Sequence, residues 1–167
     1  MAGGSWLVAD ASQAGASDVL RAIREQHATV LFAFPALLRS IVQAGQCSPG
    51  EQLRLVRMGG DTTLYNDVDA LRAWLAPSAH IQLIYAATEA PMMQWFVTGV
   101  PAGQEGRLPI GYALAGNELS VVDEAGLPVR QGLAGELVVR SPGRIVASNV
   151  RLASSSLLGG SFAGLST

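Results

Sequence analysis

The sequence predicts an α/β fold: a parallel-type sheet with flanking helices, followed by a small antiparallel β unit. Three observations support this prediction. Apolar runs of strand length alternate with amphipathic runs of helix length over residues 1–97. From about residue 98 the chain becomes rich in glycine and proline, and two further strand-like runs then flank a turn. A composition of 49% hydrophobic and 14% charged residues is typical of a chain that buries a core.

Strands and helices alternate in the first part of the chain. Four runs are predicted strands, namely residues 6–9, 29–34, 53–58 and 81–85. Three helices are predicted between them, over residues 17–27, 35–44 and 66–76. Asn66 and Asp69 have a spacing like that of a capping box at the start of the third helix. Because right-handed crossovers join parallel strands, we expect a sheet of buried strands with helices on both faces.

The second part of the chain is predicted to be different. Residues 98–117 indicate a loop-rich crossing, and residues 118–123 and 136–140 indicate two antiparallel strands around a turn at 124–128. Residues 152–167 have no charge and no clear period, which is typical of loop. We therefore expect a nucleotide-binding α/β subdomain over residues 1–97, a β subdomain over 98–150 and a flexible tail over 151–167.

Composition limits the possible partners and chemistry. A net charge of -2 disfavours nucleic acid and acidic membranes as partners. The chain has one cysteine, Cys47, no apolar run of bilayer length and no basic leader, so we expect a cytoplasmic protein with no membrane partner. All 11 basic residues are arginine, which excludes any reaction that needs a lysine ammonium group from this chain.

The run that begins at residue 81 ends in a pattern suited to ligand binding, Tyr85, Ala86, Ala87, Thr88 and Glu89. Ligands bind at the carboxyl ends of strands in open α/β sheets. The ring could stack on a base, and the hydroxyl and carboxylate are oxygen ligands for a cation such as Mg²⁺. The alternative is a strand followed by a helix, with Thr88 as its cap and Glu89 in its first turn.

A second strand end carries Gly59, Gly60 and Asp61, and a third motif occupies residues 135–139, Gly-Glu-Leu-Val-Val. Together with residues 85–89, in this order and spacing, these motifs resemble the nucleotide-binding core of the adenylate-forming superfamily. That superfamily includes acyl-CoA synthetases and the adenylation domains of nonribosomal peptide synthetases. The resemblance covers roughly residues 3–150, and three short motifs in the right order are more specific than any one of them.

The resemblance implies carboxylate activation by ATP and Mg²⁺, followed by transfer of the acyl group to CoA or a carrier-protein thiol. It implies that Thr88 holds a phosphate oxygen and that Glu89 binds Mg²⁺.

The resemblance also implies a set of adenine contacts, which are Gly59, Gly60, Asp61, Tyr85 and Ala86. Asp61 stands where the family has glutamate, and Ala86 stands where it has glycine, so Ala86 would be strained if its φ were positive. These roles require Tyr85 and the two glycines to lie at the ends of neighbouring strands.

Relatives that activate amino acids suggest an acyl pocket. The matching positions are all apolar and are Val56, Met58, Ile84, Met92 and Met93, with Phe32 as a further member. An apolar pocket favours a hydrophobic carboxylic or amino acid. The alternative is that Met92 and Met93 are ordinary core residues.

The family's phosphate loop with its lysine, its ribose-binding acid and its C-terminal catalytic lysine have no match in this sequence. The resemblance therefore implies a fragment that is inactive alone. One alternative is a non-catalytic nucleotide-binding or protein-interaction module that could self-associate through an exposed sheet edge. Another is an unrelated Rossmann-like protein, which the lack of Gly-x-Gly-x-x-Gly after a strand disfavours.

Overall fold

A computed structural model describes residues 3–9, 15–44, 52–87, 90–130, 132–141 and 144–153, with Ala90 and residues 144–153 described by their backbone only. The elements in chain order are α1 (Ala16–Glu25), β1 (Val30–Ala33), α2 (Pro35–Ala44), β2 (Leu55–Met58), α3 (Tyr65–Trp74), β3 (His80–Ala87), β4 (Ala90–Phe96), β5 (Tyr112–Ala113), β6 (Glu118–Val122), β7 (Ala134–Ser141) and β8 (Arg144–Ala153). No helix in these described ranges is both long and apolar enough to cross a bilayer.

The strands form two sheets. The larger has the order β1-β2-β3-β4-β5, with β1, β2 and β3 parallel and β4 and β5 antiparallel to their neighbours. The smaller is antiparallel, in the order β6-β7-β8. The predicted fold class is confirmed: parallel strands with flanking helices precede a small antiparallel sheet. The predicted helices also form, and α2 begins at Pro35, where proline's fixed φ and missing N–H are tolerated.

All three described helices pack on one face of the larger sheet, so the expected coverage of both faces is wrong. Buried residues of α1, α2 and α3 share one cluster with alternate strand residues, among them Val56, Met58, Ile81 and Leu83. Chain order and strand order agree across β1, β2 and β3. Right-handed crossovers that advance in one direction place successive helices on the same face, and covering the second face needs a reversal of strand order.

The opposite face is partly open, and β1 is not the buried strand that its composition predicts. Val30 and Phe32 are 42% and 56% exposed. Cross-strand pairing places Phe32, Arg57, Gln82 and Phe96 in one row over β1 to β4. The Arg57 guanidinium lies 5.9 Å from the centre of the Phe32 ring. This surface, defined by that row and by Val30, is called the open face below.

One predicted strand does not form, and one predicted alternative, a helix after β3, is excluded. Residues 6–9 are not a strand: Trp6 and Val8 are 88% and 87% exposed, and so short a run buries too little surface for its β propensity to decide its conformation. After β3 the described chain resumes at Ala90 as a strand and not as a helix, which excludes the capped-helix alternative. The chain continues as β4, whose pairing with β3 has a register shift between Tyr85 and Ala86.

The smaller sheet packs against the end of the β3–β4 pair. Met92 and Met93 are fully buried in a second cluster with Val121, Leu137 and Val139, and Tyr85 packs against its side. The sequence analysis did not predict β8, which includes residues 151–153 of the expected tail. Residues 154–167 lie outside the described part of the chain.

Candidate functional site

β2 ends at Met58, and the next residue, Gly59, lies against Ile84 within β3. An added Cβ at Gly59 would lie 2.5 Å from the Ile84 carbonyl oxygen and 2.8 Å from Ile84 Cγ1. The two strands are parallel neighbours, with Met58 opposite Leu83, so Gly59 and Ile84 are the next residues along each strand. Only glycine allows this backbone approach. The glycine pair therefore follows β2 beside Ile84, and Tyr85 is the next residue of β3, where it pairs with Met93 of β4.

Gly60 and Asp61 lie outside this contact. Gly60 has a φ of 85° and no heavy atom within 4 Å of an added Cβ, so its backbone is open to an approaching molecule. Asp61 is exposed, and its Oδ1 accepts a hydrogen bond from the Thr62 amide at 2.6 Å. The segment can thus offer open backbone and one carboxylate to a ligand at the end of β2.

On the β3 side, Tyr85 is half-buried against the second cluster, and Ala86 is exposed. His27 is the non-glycine residue with a positive φ in the described ranges, so Ala86 does not have the strain expected of a glycine replacement in a left-handed conformation. Asn117 Nδ2 donates to the carbonyl oxygens of Pro91 and Met92 at 3.1 and 3.2 Å. This contact was not predicted from the sequence. It fixes the start of β4, which pairs with Tyr85 and Ala86 of β3.

The predicted phosphate and metal residues, Thr88 and Glu89, lie outside the described residues. In the described ranges there is no group of three or more histidine, cysteine, aspartate or glutamate side chains placed to hold a metal ion. The role of Glu89 as a Mg²⁺ ligand therefore stays a prediction. For ATP, the described part of the site offers exposed backbone at Gly60, next to the contact of Gly59 with Ile84.

The segment that follows Gly59 is held by Asp67, a residue that the sequence analysis missed. Asp67 is 7% exposed, and its Oδ2 accepts a hydrogen bond from the Leu64 amide at 2.8 Å at the start of α3. The expected capping pair of Asn66 and Asp69 is therefore wrong, because the N-cap of α3 is Leu64, two residues before Asn66. An acid three residues after a helix cap was the available signal.

Arg39 of α2 binds the same carboxylate with both ends of its fork. Its Nε lies 2.6 Å from Asp67 Oδ1, and its Nη2 lies 2.9 Å from Asp67 Oδ2. This hydrogen-bonded pairing raises the pKa of Arg39 above its ordinary value, and the negative charge of Asp61 acts in the same direction. Because the pKa of Arg39 is raised on folding, its contribution to stability is fully present at any pH below the ordinary value. It is lost only as the pH rises through the raised value, so the contribution of Arg39 does not change near neutral pH.

The predicted acyl-pocket residues fall into four environments. Val56 and Met58 are fully buried on the helix side of the sheet. Met92 and Met93 lie in the second cluster. Ile84 contacts Gly59 between the strand ends. Phe32, the further member, is 56% exposed on the open face. The structure does not bring these six side chains around one space, and the acyl pocket stays a prediction.

Comparisons with known proteins give a consistent answer. A family model described as AMP-binding enzyme matches residues 1–148. The chain is 29% identical over 138 residues to the L-proline--[L-prolyl-carrier protein] ligase of Streptomyces coelicolor, over 80% of this chain and 26% of that protein. It is 41% identical over 68 residues to the D-alanine--D-alanyl carrier protein ligase of Lactiplantibacillus plantarum, over 40% of this chain and 13% of that protein.

Solved structures agree. The chain superposes with a TM-score of 0.64 and 26% identity on PA1221, a nonribosomal peptide synthetase protein containing adenylation and PCP domains, over 77% of this chain and 26% of that one. The chain thus spans about a quarter of the length of this structure and of the Streptomyces relative.

Proposed function

The chain belongs to the AMP-binding enzyme family, and on that premise we propose that it is the nucleotide-binding part of an ATP-dependent ligase that activates a carboxylic acid. The observation that supports this proposal is the contact of Gly59 with Ile84, which places the glycine pair at the end of β2 beside the residue that precedes Tyr85 in β3. The carrier-protein ligases among its relatives support an acid substrate and a thiol acceptor.

The proposed reaction has two steps. A carboxylate oxygen of the substrate attacks the α-phosphorus of ATP, and the bond from that phosphorus to the pyrophosphate oxygen breaks. The thiol of CoA or of a carrier protein then attacks the acyl carbon, AMP leaves with the bonding electrons, and the thiol proton passes to water. A protein contributes to such steps mainly by positioning the reactants and stabilising charge.

In this proposal the described residues bind and orient the nucleotide. The Tyr85 ring lies along the adenine face, while the backbone of Gly59, Gly60 and Ala86 and the Asp61 carboxylate border the base. Thr88 is proposed to hold a phosphate oxygen, and Glu89 to bind the Mg²⁺ that offsets the charge of pyrophosphate. The acid substrate is proposed to be hydrophobic, because Ile84, at the meeting point of the strand ends, is apolar.

We expect the chain alone to show no ATP–pyrophosphate exchange above background with a panel of hydrophobic carboxylic and amino acids. The reason is that it has no lysine to stabilise charge on the phosphates. A full-length ligase of the family serves as the positive control. Clear, acid-dependent exchange catalysed by the purified chain would refute its inactivity while supporting the proposed ligase chemistry.

Replacing Tyr85 by alanine is expected to weaken ATP binding by about 5- to 150-fold, because stacking of a base on an aromatic ring is worth roughly 1–3 kcal/mol. Isothermal titration at a temperature where every variant is folded measures the change. Tyr85→Phe keeps the ring and should bind within about threefold of the wild type. Tyr112→Ala, in an exposed aromatic two strands away, is the matched control. Unchanged affinity in Tyr85→Ala would remove Tyr85 from the site.

The outer edge of β1 supports a second candidate function, a protein-interaction module that self-associates through this edge. No strand in the described ranges pairs with the outer edge of β1, and Val30–Ala33 has no charge to block pairing. We expect light scattering to show a mass that rises with concentration and returns to that of a monomer in Phe32→Lys.

Phe96→Lys distinguishes pairing at the edge from docking on the open face. Phe96 is 48% exposed in the same cross-strand row, but it belongs to an internal strand. Edge pairing predicts that only Phe32→Lys reduces association, whereas loss in both variants would assign association to the open face. A wild-type chain that stays monomeric at all concentrations would eliminate this candidate.

A further inference from the structure

One buried carboxylate joins three parts of the molecule beside the proposed nucleotide site. Asp67 lies in the first turn of α3 and is 7% exposed. Its two oxygens accept three hydrogen bonds, two from Arg39 of α2 and one from the Leu64 amide. Such charge-assisted, bidentate contacts are among the stronger polar interactions in proteins, and they fix geometry as well as energy. Asp67 therefore sets where Leu64 lies relative to α2.

Leu64 is the last residue of the segment that begins with the glycine pair. At its first residue, the segment is fixed by the packing of Gly59 on Ile84. The far end of the segment is held by two hydrogen bonds. The Leu108 amide donates to the Thr63 carbonyl oxygen at 2.9 Å, and the Leu64 amide donates to Asp67. Between these anchors, residues 60–62 are exposed. The position of the exposed residues thus depends on the two ends.

The charges around Arg39 also connect this pair to the segment. The side chain of Arg39 is 40% exposed, and Asp61 is close enough for its charge to act on the guanidinium. Asp67 neutralises Arg39 directly and leaves the Asp61 carboxylate free of a direct ion pair in the described ranges. Loss of Asp67 would remove this neutralisation and leave the charge of Asp61 acting on Arg39.

We propose that Asp67, together with Arg39, is a positioning residue for the nucleotide-binding segment, holding residues 60–62 in place between α2 and α3. This inference rests on the proposed function for its ligand, ATP, but the geometry of the segment can be measured without ATP. Neither Asp67 nor Arg39 is expected to touch the nucleotide.

The test uses two readouts on the whole chain with Asp67→Asn and Arg39→Leu. We expect amide hydrogen exchange at residues 60–64 to rise about tenfold or more in both variants, while exchange in β2 and β3 is unchanged. We expect ATP affinity to fall about tenfold in both, measured well below the unfolding temperature of each variant. Arg39→Lys keeps the charge but not the fork, and should restore part of the affinity.

Asp69→Asn is the matched control. Asp69 lies two residues further along α3, accepts a hydrogen bond from the Gly103 amide at 2.9 Å and lies 3.9 Å from Arg72. Its replacement removes one hydrogen bond and one longer charge contact of α3 away from the segment, and should change neither readout. An equal loss of affinity in Asp69→Asn, or faster exchange in Asp67→Asn with unchanged affinity, would make Asp67 a structural residue only and overturn the inference.

The two proposals fail in different ways. If the wild-type chain does not bind ATP, the proposed function fails, and exchange at residues 60–64 alone decides whether Asp67 holds the segment. If exchange at these residues in Asp67→Asn stays within about twofold of the wild type, the positioning role is overturned, whatever the affinity of the wild type.

Discussion

Replacing Gly59 by alanine is expected to lower the free energy of unfolding by about 1–3 kcal/mol and to weaken ATP binding at the same time. The new methyl group would lie 2.5 Å from the Ile84 carbonyl oxygen, a backbone atom that no rotamer change can move. The ends of β2 and β3 would have to separate, which moves the glycine pair away from Tyr85. Urea unfolding and ATP titration of the same samples measure both effects.

Gly60→Ala is the comparison variant for this prediction, since it strains the backbone of the adjacent glycine without pushing β2 away from β3. Nothing lies within 4 Å of an added Cβ at Gly60, but its φ of 85° would cost an alanine about 1–2 kcal/mol in strain. Gly4→Ala, in open space with an ordinary φ, should leave stability unchanged. If Gly59→Ala were as stable as the wild type, the strand ends would not be in the close contact that the proposed site requires.

Local signals predict much of the first three parallel strands. The strand run that ends at Met58, the proline that begins α2 and the strand run through Ile84 are each written in a few consecutive residues. The adjacency of Gly59 and Ile84 followed from the tendency of successive strands to be neighbours. This part of the candidate site was therefore predictable from sequence alone.

Features set by pairing between distant residues were not predictable in this way. β4 forms because its residues pair with β3 and pack against the smaller sheet, and β8 forms by pairing with β7. Both runs lack a strong local strand pattern. The single covered face depends on strand order, which no local pattern encodes. Asp67 was missed because helix starts are uncertain by a residue or more, and a shift of two residues decided which acid reaches the cap.

The predicted acyl-pocket residues of β2 and β3 lie on different faces of the sheet. Strand side chains alternate, so Val56 and Met58 share a face. Their cross-strand partners, Ile81 and Leu83, share that face too, and the helices bury all four. Ile84 follows Leu83 and cannot point the same way in a regular strand. A pocket that combined Met58 and Ile84 would have to extend through the sheet. The alternation of strand side chains between the two faces is thus enough to place Met58 and Ile84 in different environments.

Met58→Ala tests this separation and is expected to lower the free energy of unfolding by about 2–5 kcal/mol, the cost of removing most of a buried side chain from a packed core. Met58 is fully buried and faces α2 and α3, where Leu38, Val42 and Leu71 line the same space. A pocket residue would instead tolerate truncation, because its outer surface faces an acyl group or water. The measurement is the urea midpoint and slope of each variant.

Met58→Leu is the matched variant for this test, because it keeps the volume and should cost less than about 1.5 kcal/mol. A loss below about 1 kcal/mol in Met58→Ala would contradict the core assignment and return Met58 to the acyl pocket. The core assignment has a further consequence, since Met58 directly precedes Gly59 and also borders Arg39 and Asp67. A cavity at Met58 would loosen both contacts that hold residues 59–64, namely Gly59 on Ile84 and Asp67 on Leu64. Met58→Ala should therefore also speed amide exchange at residues 60–64, while Met58→Leu should not.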